Sequence, residues 1–256
     1  MVYQTWGTGE CVVRRDLGRV VGPVLNRAGA DLSLWWVLRR SLSAFFDDFG
    51  RFVAANVFWV TAGAVVAVAV SLHVAGYMLV VAMLPVTAGL FRMAGYAVRE
   101  HPARVRQFGT GLAARRPYAL LLGTAQVGVG LVSWVNFHIG LTAATLPLVV
   151  AAIASGWVLL IVAASAAVMW PLLLDPERDG VAFRRVVRLA LQVALVRPGR
   201  VILVVAFEVL LVAVAVQALV ATLLLPALGA LFAAYAVLPV ADRLEGREPA
   251  AADPGG

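Results

Sequence analysis

Residues 181–216 join a basic segment directly to a strongly apolar one, and no other feature of the sequence constrains the fold as much. The first half, 181–196, has a helical pattern with one narrow polar stripe and Val, Leu, Phe and Ala around the rest. The stripe consists of Arg184, Arg185, Arg188 and Gln192. After an Arg-Pro-Gly-Arg joint, residues 201–216 are apolar except for Glu208, as a helix that crosses a bilayer must be. The sequence therefore predicts an amphipathic helix on the membrane surface that leads straight into a membrane span.

The composition fits a protein with several such spans. Of the 256 residues, 62% are hydrophobic and only 14% are charged, with a mean hydropathy of +0.91. This is too little polar surface for a soluble globule of this size. The net charge of +7 is one that nucleic-acid-binding proteins also carry, but here the basic residues are arginines beside apolar spans, where they set topology. We predict an all-α, polytopic helical membrane protein that binds no nucleic acid.

The apolar stretches divide into six predicted transmembrane helices. These are 52–72, 77–98, 118–135, one within 141–174, and two within 201–238 that are separated by a turn near 217–225. The stretch 141–174 fits either one tilted helix with an extended lead-in before Pro147 or two short crossings. Two crossings would place the arginine-rich segment 178–200 on the opposite face from 99–116, so the positive-inside bias favours one.

The arginines predict the orientation of these spans. Every arginine except Arg92 falls on one side, and the opposite turns, at 71–76, 136–140 and 217–225, contain none. We therefore predict a multi-pass protein of the bacterial cytoplasmic membrane with both termini in the cytoplasm. Arg92 lies one to two turns from the inner end of its span, from where its side chain can extend to the surface.

A threefold repeat follows from the same pattern. Each repeat contains a cytoplasmic amphipathic helix and a hairpin of two spans, and the repeats cover about 31–98, 99–174 and 175–240. Residues 1–30 are expected to form a mobile cytoplasmic arm, and 241–256 a disordered cytoplasmic tail. The single cysteine, Cys11, excludes an intramolecular disulfide.

Two short motifs carry a family resemblance. Asn56-Val-Phe-Trp59-Val60 in the first span and Pro85-Val-Thr87-Ala88-Gly-Leu90 in the second, followed by a basic link, resemble the YesL-like family of bacterial polytopic membrane proteins. The resemblance covers roughly residues 31–240. Members are commonly encoded beside carbohydrate ABC-transporter components, so the resemblance implies an accessory role in sugar uptake and ABC-transporter subunits as partners. The amino-terminal arm and Arg92 depart from the family pattern.

The sequence contains no catalytic constellation. There is no Ser-His-Asp, Cys-His or paired-carboxylate spacing and no phosphate-binding loop of the Gly-x-x-x-x-Gly-Lys type. His73 and His138 lie in two of the outer turns, but the carboxylate or thiolate partners of a metal site are missing. We predict a protein that is not an enzyme, with no cofactor and no metal site.

Polar residues inside the spans form a candidate intramembrane site. Arg92 and Glu208 lie at similar depth, and a lone charge there costs ~2.5–3.5 kcal/mol, so an ion pair between them would reduce both penalties. They could handle a substrate or protons, but a clamp between helices, or simple extension to the surface, is favoured. Asn56 with Thr87, and Ser133 with Gln126, are expected to form interhelical hydrogen bonds.

The basic links form a second candidate site, a face for anionic lipids or a partner protein. Its residues are Arg104, Arg106, Arg115, Arg116, Arg184, Arg185 and Arg188. The leading hypothesis is an integral inner-membrane accessory or scaffold protein that supports a carbohydrate ABC transporter. The alternative is a transporter or permease subunit with a polar path near Arg92, Glu208 and Asn56; residues 179–186 faintly resemble the coupling loop of sugar permeases.

Overall fold

The computed structural model describes residues 34–102, 104–113, 116–143, 145–217 and 223–247, and throughout these ranges the regular structure is helical, with no strand. The chain divides into two compact parts, residues 1–39 and 40–256, and the long apolar helices found among the described residues lie in the second. The predicted arm (1–30) lies outside the described residues, as do Cys11, Arg115 and residues 248–256 of the predicted tail.

A short helix precedes a pair of long helices three times along the chain. The first group is α1 (Leu34–Asp47), α2 (Phe49–Leu72) and α3 (Met83–Val98), with a 3₁₀ segment, Val74–Ala82, between α2 and α3. The second is α4 (Val105–Ala113), α5 (Arg116–Ala143) and α6 (Leu146–Leu174). A 3₁₀ turn, Pro176–Arg178, leads to the third, α7 (Phe183–Val196), α8 (Pro198–Gln217) and α9 (Leu225–Leu244).

Among the described residues, six helical stretches are long and apolar enough to cross a membrane. They are Phe49–Leu72, Leu79–Val98, Pro117–Thr142, Leu146–Leu174, Pro198–Ala215 and Leu225–Leu244. The prediction of an all-α polytopic protein is confirmed, and the chain is a multi-pass membrane protein. Most of the stretch 141–174, which fitted either one or two crossings, forms the single helix α6. This helix is about 43 Å long at the rise per residue of an α-helix.

The turn predicted at residues 136–140 is wrong. Helix α5 continues through it to Ala143, because uncharged residues such as Asn136 and His138 do not by themselves end a helix. Gly140 lies inside this helix, and its lack of a side chain lets the backbone of Leu148 in α6 approach closely. The chain turns instead just before Pro147, which occupies the first turn of α6, where a missing N–H costs nothing.

Two other predicted boundaries also move. The second span, predicted at 77–98, changes from 3₁₀ to α-helix at Met83, so α3 begins later than predicted and Pro85 lies in its first turn. The predicted tail begins too early, because α9 continues past residue 240 to Leu244 and buries Asp242. Asp242 is tolerated inside the fold because two arginines neutralise it, as described below.

Helix α9 is the centre of the bundle. It contacts α2, α3, α6, α7 and α8, and 72% of the residues along its apolar stretch are buried, against 11–17% in α2, α5, α6 and α8. Those four helices expose Val, Leu and Ile side chains along their flanks, as helices surrounded by lipid do. The buried parts of α6 and α3 lie near their carboxyl ends, at 167–174 and 88–95. Helices α3 and α6 are therefore most buried toward their carboxyl ends, whereas α9 is buried along most of its length.

Candidate functional site

Five charged side chains meet where α3, α6 and α9 end, and we refer to them as the charged cluster. Its members are Arg99, Asp175, Arg178, Asp242 and Glu245. Arg99, which follows α3, spans the other two helices: its Nη2 lies 2.6 Å from Asp175 Oδ2 and its Nη1 lies 2.7 Å from Asp242 Oδ2. One guanidinium thus joins the carboxyl ends of three helices.

Arg178 joins the same carboxylates from the other side. Its side chain is fully buried; it pairs with Asp175 and donates to Asp242 Oδ1 at 2.6 Å and to Glu245 Oε2 at 3.0 Å. The local fold positions these groups, because Asp175 ends α6 and its side chain accepts from the backbone N–H of Glu177 in the following 3₁₀ turn. That turn carries Arg178 back over the end of α9.

Both arginines of the charged cluster remain charged. Burial by itself lowers the pKa of the Arg99 and Arg178 guanidinium groups, but hydrogen bonds to Asp175 and Asp242, and their negative charges, outweigh it and raise the pKa of both. Glu245 is further approached by Arg185 at 3.6 Å and by Arg247 at 3.4 Å. The carboxylates of the charged cluster are all paired with arginines, so the cluster joins the ends of three helices.

Arg92 pairs with Asp179 and not with Glu208. Its Nη1 donates to Asp179 Oδ1 at 2.6 Å and to the carbonyl oxygen of Leu174 at 3.2 Å, and its Cζ lies 5.4 Å from the centre of the Tyr96 ring. The arginine is buried, whereas Asp179 is exposed. The buried guanidinium of Arg92 thus pairs with a carboxylate in the loop after α6, and the predicted extension to the membrane surface stays a prediction.

Asn56 and Thr87 each bond to other helices and not to each other. Asn56 in α2 donates to the carbonyl of Leu224 at 3.2 Å and accepts from the N–H of Ala227 at 2.9 Å, one of the N–H groups that the first turn of α9 leaves without a helical partner. Thr87 Oγ1 accepts from Nε1 of Trp59 at 3.1 Å. Each residue therefore forms a hydrogen bond to another part of the bundle, but the two do not bond to each other.

Gln126 likewise bonds to residues of α6 and not to Ser133. It donates to Ser165 Oγ at 3.0 Å and accepts from Trp170 Nε1 at 2.9 Å. The expected interhelical hydrogen bond of Gln126 is therefore present, but it joins α5 to α6 instead of linking two residues of α5.

Glu208 lines a cavity of about 280 Å³ between α2, α3, α8 and α9. Trp59, Thr87, Phe91 and Gly229 are among the lining residues, most of which are apolar. In the part of the chain that the structure describes, Glu208 has no hydrogen-bond or ion-pair partner. Of the four predicted site residues, the fold thus brings Glu208 and Thr87 to one cavity and places Arg92 and Asn56 elsewhere.

The predicted basic face is exposed where the structure describes it. Arg104 lies just before α4, and Arg106 lies within it. Arg184, Arg185 and Arg188 lie on α7. All five arginines are exposed. Arg115 lies outside the described residues, and Arg116 is the first residue of α5. His73 and His138 are exposed, and among the described residues no group of three or more His, Cys, Asp or Glu side chains could hold a metal ion.

Sequence reasoning missed the charged cluster, although the sequence contains a signal for it. The first charged residue after each returning span is Arg99 after the first repeat, Asp175 after the second and Asp242 after the third. One of the three equivalent positions is therefore positive and the other two are negative. That pattern predicts that the end of α3 attracts the ends of α6 and α9.

Neither a family model, nor a curated protein, nor a solved structure matches the chain. Functional conclusions therefore rest on the geometry of the charged cluster, the Glu208 cavity and the exposed arginines.

Proposed function

We propose that this protein is a non-enzymatic accessory or scaffold protein of the bacterial cytoplasmic membrane that supports a carbohydrate ABC transporter. The observation that carries the proposal is that the buried charges form ion pairs with one another, and these ion pairs connect the ends of α3, α6 and α9. Removing one partner of a buried ion pair costs about 3–5 kcal/mol, so these helix ends separate rarely at ambient temperature. Such a joint favours a fixed platform over a carrier that alternates between two states.

Two surfaces support the role of a platform. The flanks of α2, α5, α6 and α8 expose apolar side chains, which lipid or the helices of another membrane protein can cover. The exposed arginines of α7 provide a basic patch of the kind that attracts anionic lipid head groups or an acidic protein surface. The ABC transporter as the partner class rests on the family resemblance of residues 56–60 and 85–90.

Copurification tests this proposal. The full-length chain, tagged and expressed at its native level, is extracted from its own membrane in a mild detergent, and the accompanying proteins are quantified by mass spectrometry. We expect ABC-transporter subunits in near-stoichiometric amounts, and less of them with the triple variant R184Q/R185Q/R188Q. R51Q, which removes an exposed arginine of α2, is the control and should leave the amount unchanged. A chain that purifies without transporter subunits would overturn the proposal.

A second candidate function is that of a transporter or permease subunit, and the Glu208 cavity favours it. The polar path expected along Arg92, Glu208 and Asn56 is reduced to Glu208 and Thr87, because Arg92 and Asn56 bond elsewhere. Sugar uptake in cells that carry E208Q separates the two functions. Loss of uptake with unchanged copurification would favour a direct part in transport, and unchanged uptake would favour the accessory role.

A further inference from the structure

We propose that the Glu208 cavity binds a small amphiphilic cation of the alkylammonium class, which enters from the lipid with its charged end toward Glu208. The inference goes beyond the accessory role because it gives the membrane-embedded part of the protein a ligand of its own. It does not depend on which protein partner, if any, contacts the exposed arginines.

The cavity has the dimensions and walls for a small, mostly apolar molecule. Four helices form its sides, with Trp59 from α2, Phe91 from α3, Glu208 from α8 and Gly229 from α9. Its volume of about 280 Å³ lies just below the ~300–1,000 Å³ that ligand pockets occupy, so the cavity is too small for an oligosaccharide. Apart from Glu208 and Thr87 the lining residues are apolar or aromatic, so most of the ligand must also be apolar.

The lone carboxyl group selects the charge of the ligand. Glu208 has no partner among the residues that the structure describes, and the arginine at similar depth, Arg92, is paired with Asp179. A carboxylate in apolar surroundings is stable only when it is protonated or paired with a cation. A proton alone would leave the cavity unfilled and its walls without dispersion contacts. A metal ion requires several oxygen ligands, which this lining does not supply, and an anion would be repelled.

The remaining polar and aromatic groups suit an ammonium group. Trp59 Nε1 donates to Thr87 Oγ1 at 3.1 Å, which fixes the indole ring and leaves a lone pair of the hydroxyl oxygen for another donor. An ammonium group carries N–H donors for Glu208 and for Thr87, and its charge is attracted to the faces of aromatic rings such as those of Trp59 and Phe91. Its alkyl chain fills the apolar remainder between α8 and α9.

Photolabelling tests the proposal on the full-length protein in phosphatidylcholine nanodiscs. The probe is decylammonium with a diazirine in its chain, and the neutral comparison is the decanol with the same diazirine. We expect the ammonium probe to label peptides of α8 and α9, and E208Q to reduce this labelling roughly tenfold, the effect of losing a charge-assisted hydrogen bond. The alcohol should label weakly and equally in both proteins, and E100Q, which neutralises an exposed glutamate, should leave ammonium labelling unchanged.

A second variant keeps the test valid if E208Q does not fold. A215F narrows the cavity from α8 and preserves the carboxyl group, so it should also lower ammonium labelling while the size-exclusion profile stays that of the wild type. Equal labelling by ammonium and alcohol probes, or ammonium labelling that neither variant lowers, would overturn the proposal. Copurification of transporter subunits is a separate measurement, so failure of the accessory role and failure of this inference are distinguishable.

Discussion

Arg178 and Asp242, 64 residues apart in the sequence, form a buried ion pair with 2.6 Å between Nη2 and Oδ1. The same carboxylate also accepts from Arg99, whose Nη1 lies 2.7 Å from its other oxygen. Asp242 therefore holds two arginines that come from different repeats. Its loss would leave two buried or nearly buried positive charges with one acceptor fewer each.

We expect D242N to destabilise the protein by about 3–5 kcal/mol, because it removes one partner of a buried ion-pair network. The measurement is the free energy of unfolding in mixed detergent micelles, or the thermal midpoint followed by size exclusion. E177Q is the matched control: Glu177 also pairs with Arg99, at 3.2 Å, but is exposed, so its loss should cost less than about 1 kcal/mol. Equal stability of D242N and E177Q would show that the charged cluster is not a joint.

Double-mutant cycles should show that Arg92 is coupled to Asp179 and not to Glu208. For R92M with D179N we expect a coupling energy near the lower end of about 0.5–3 kcal/mol, since Asp179 is half exposed. For R92M with E208Q we expect less than about 0.5 kcal/mol, as for residues without a shared contact. A larger coupling to Glu208 than to Asp179 would contradict the placement of Arg92.

Two glycines of α4 should respond to alanine in opposite ways. A Cβ at Gly111 would lie 2.8 Å from Cα of Gly89 and 3.1 Å from the carbonyl oxygen of Ala88, so G111A should destabilise the protein by about 1–3 kcal/mol. A Cβ at Gly109 would have nothing within 4 Å, so G109A should be neutral or stabilise the helix by up to about 1 kcal/mol. Thermal midpoints of the two variants compare them directly. Similar midpoints would mean that α4 does not pack closely on α3.

Replacing Glu100 with glycine should stabilise the end of α3. Glu100 has a φ of 56°, and the N–H groups of Glu100 and His101 bond to the carbonyls of Ala97 and Tyr96, the pattern of a helix end that favours glycine. E100G should therefore add about 0.5–1 kcal/mol of stability. E100A separates the effect of the backbone conformation from the effect of the charge, because it removes the carboxylate but keeps a Cβ. If E100A stabilises as much as E100G, backbone strain is not the cause.

Cysteine labelling tests the predicted orientation. In a C11S background, G109C and G180C should both react with a membrane-impermeant maleimide from the cytoplasmic side, since the arginines of both links are predicted to stay there. A Cβ at either position would have nothing within 4 Å, so the substitutions should not disturb the fold. H73C, at an exposed position after α2, should react from the opposite side. Reaction of the two glycine positions from different sides would overturn the topology.

The number of membrane spans could be predicted from the sequence, but the contacts between the spans could not. The length of the apolar stretches predicts six spans, and the arginine bias identified α6 as one crossing. The end of α5 was misplaced because uncharged residues do not mark a helix end by themselves. Partners such as Asp179 for Arg92 and Leu224 for Asn56 depend on which helices are neighbours, which periodicity does not encode.

Asp242 shows the same limit most clearly. Beside a run of apolar residues, an aspartate ordinarily marks the point where a span has ended, so the sequence alone assigned it to a tail. Its neutralising partner Arg99 is 143 residues away, and no local window contains both. Only comparison of equivalent positions in the three repeats would have exposed the relationship.

The position of Asp242 late in the chain has a consequence for biosynthesis. A ribosome delivers Arg99 and Arg178 well before Asp242, so until the last hairpin emerges Asp175 is the one buried carboxylate for both arginines, and the exposed Glu177 is the other partner of Arg99. The nascent protein therefore has two arginines at one buried carboxylate, and the final helix supplies the second. A translation product that stops short of α9 would lack its central helix as well as this counter-charge, and should be degraded as an unassembled intermediate.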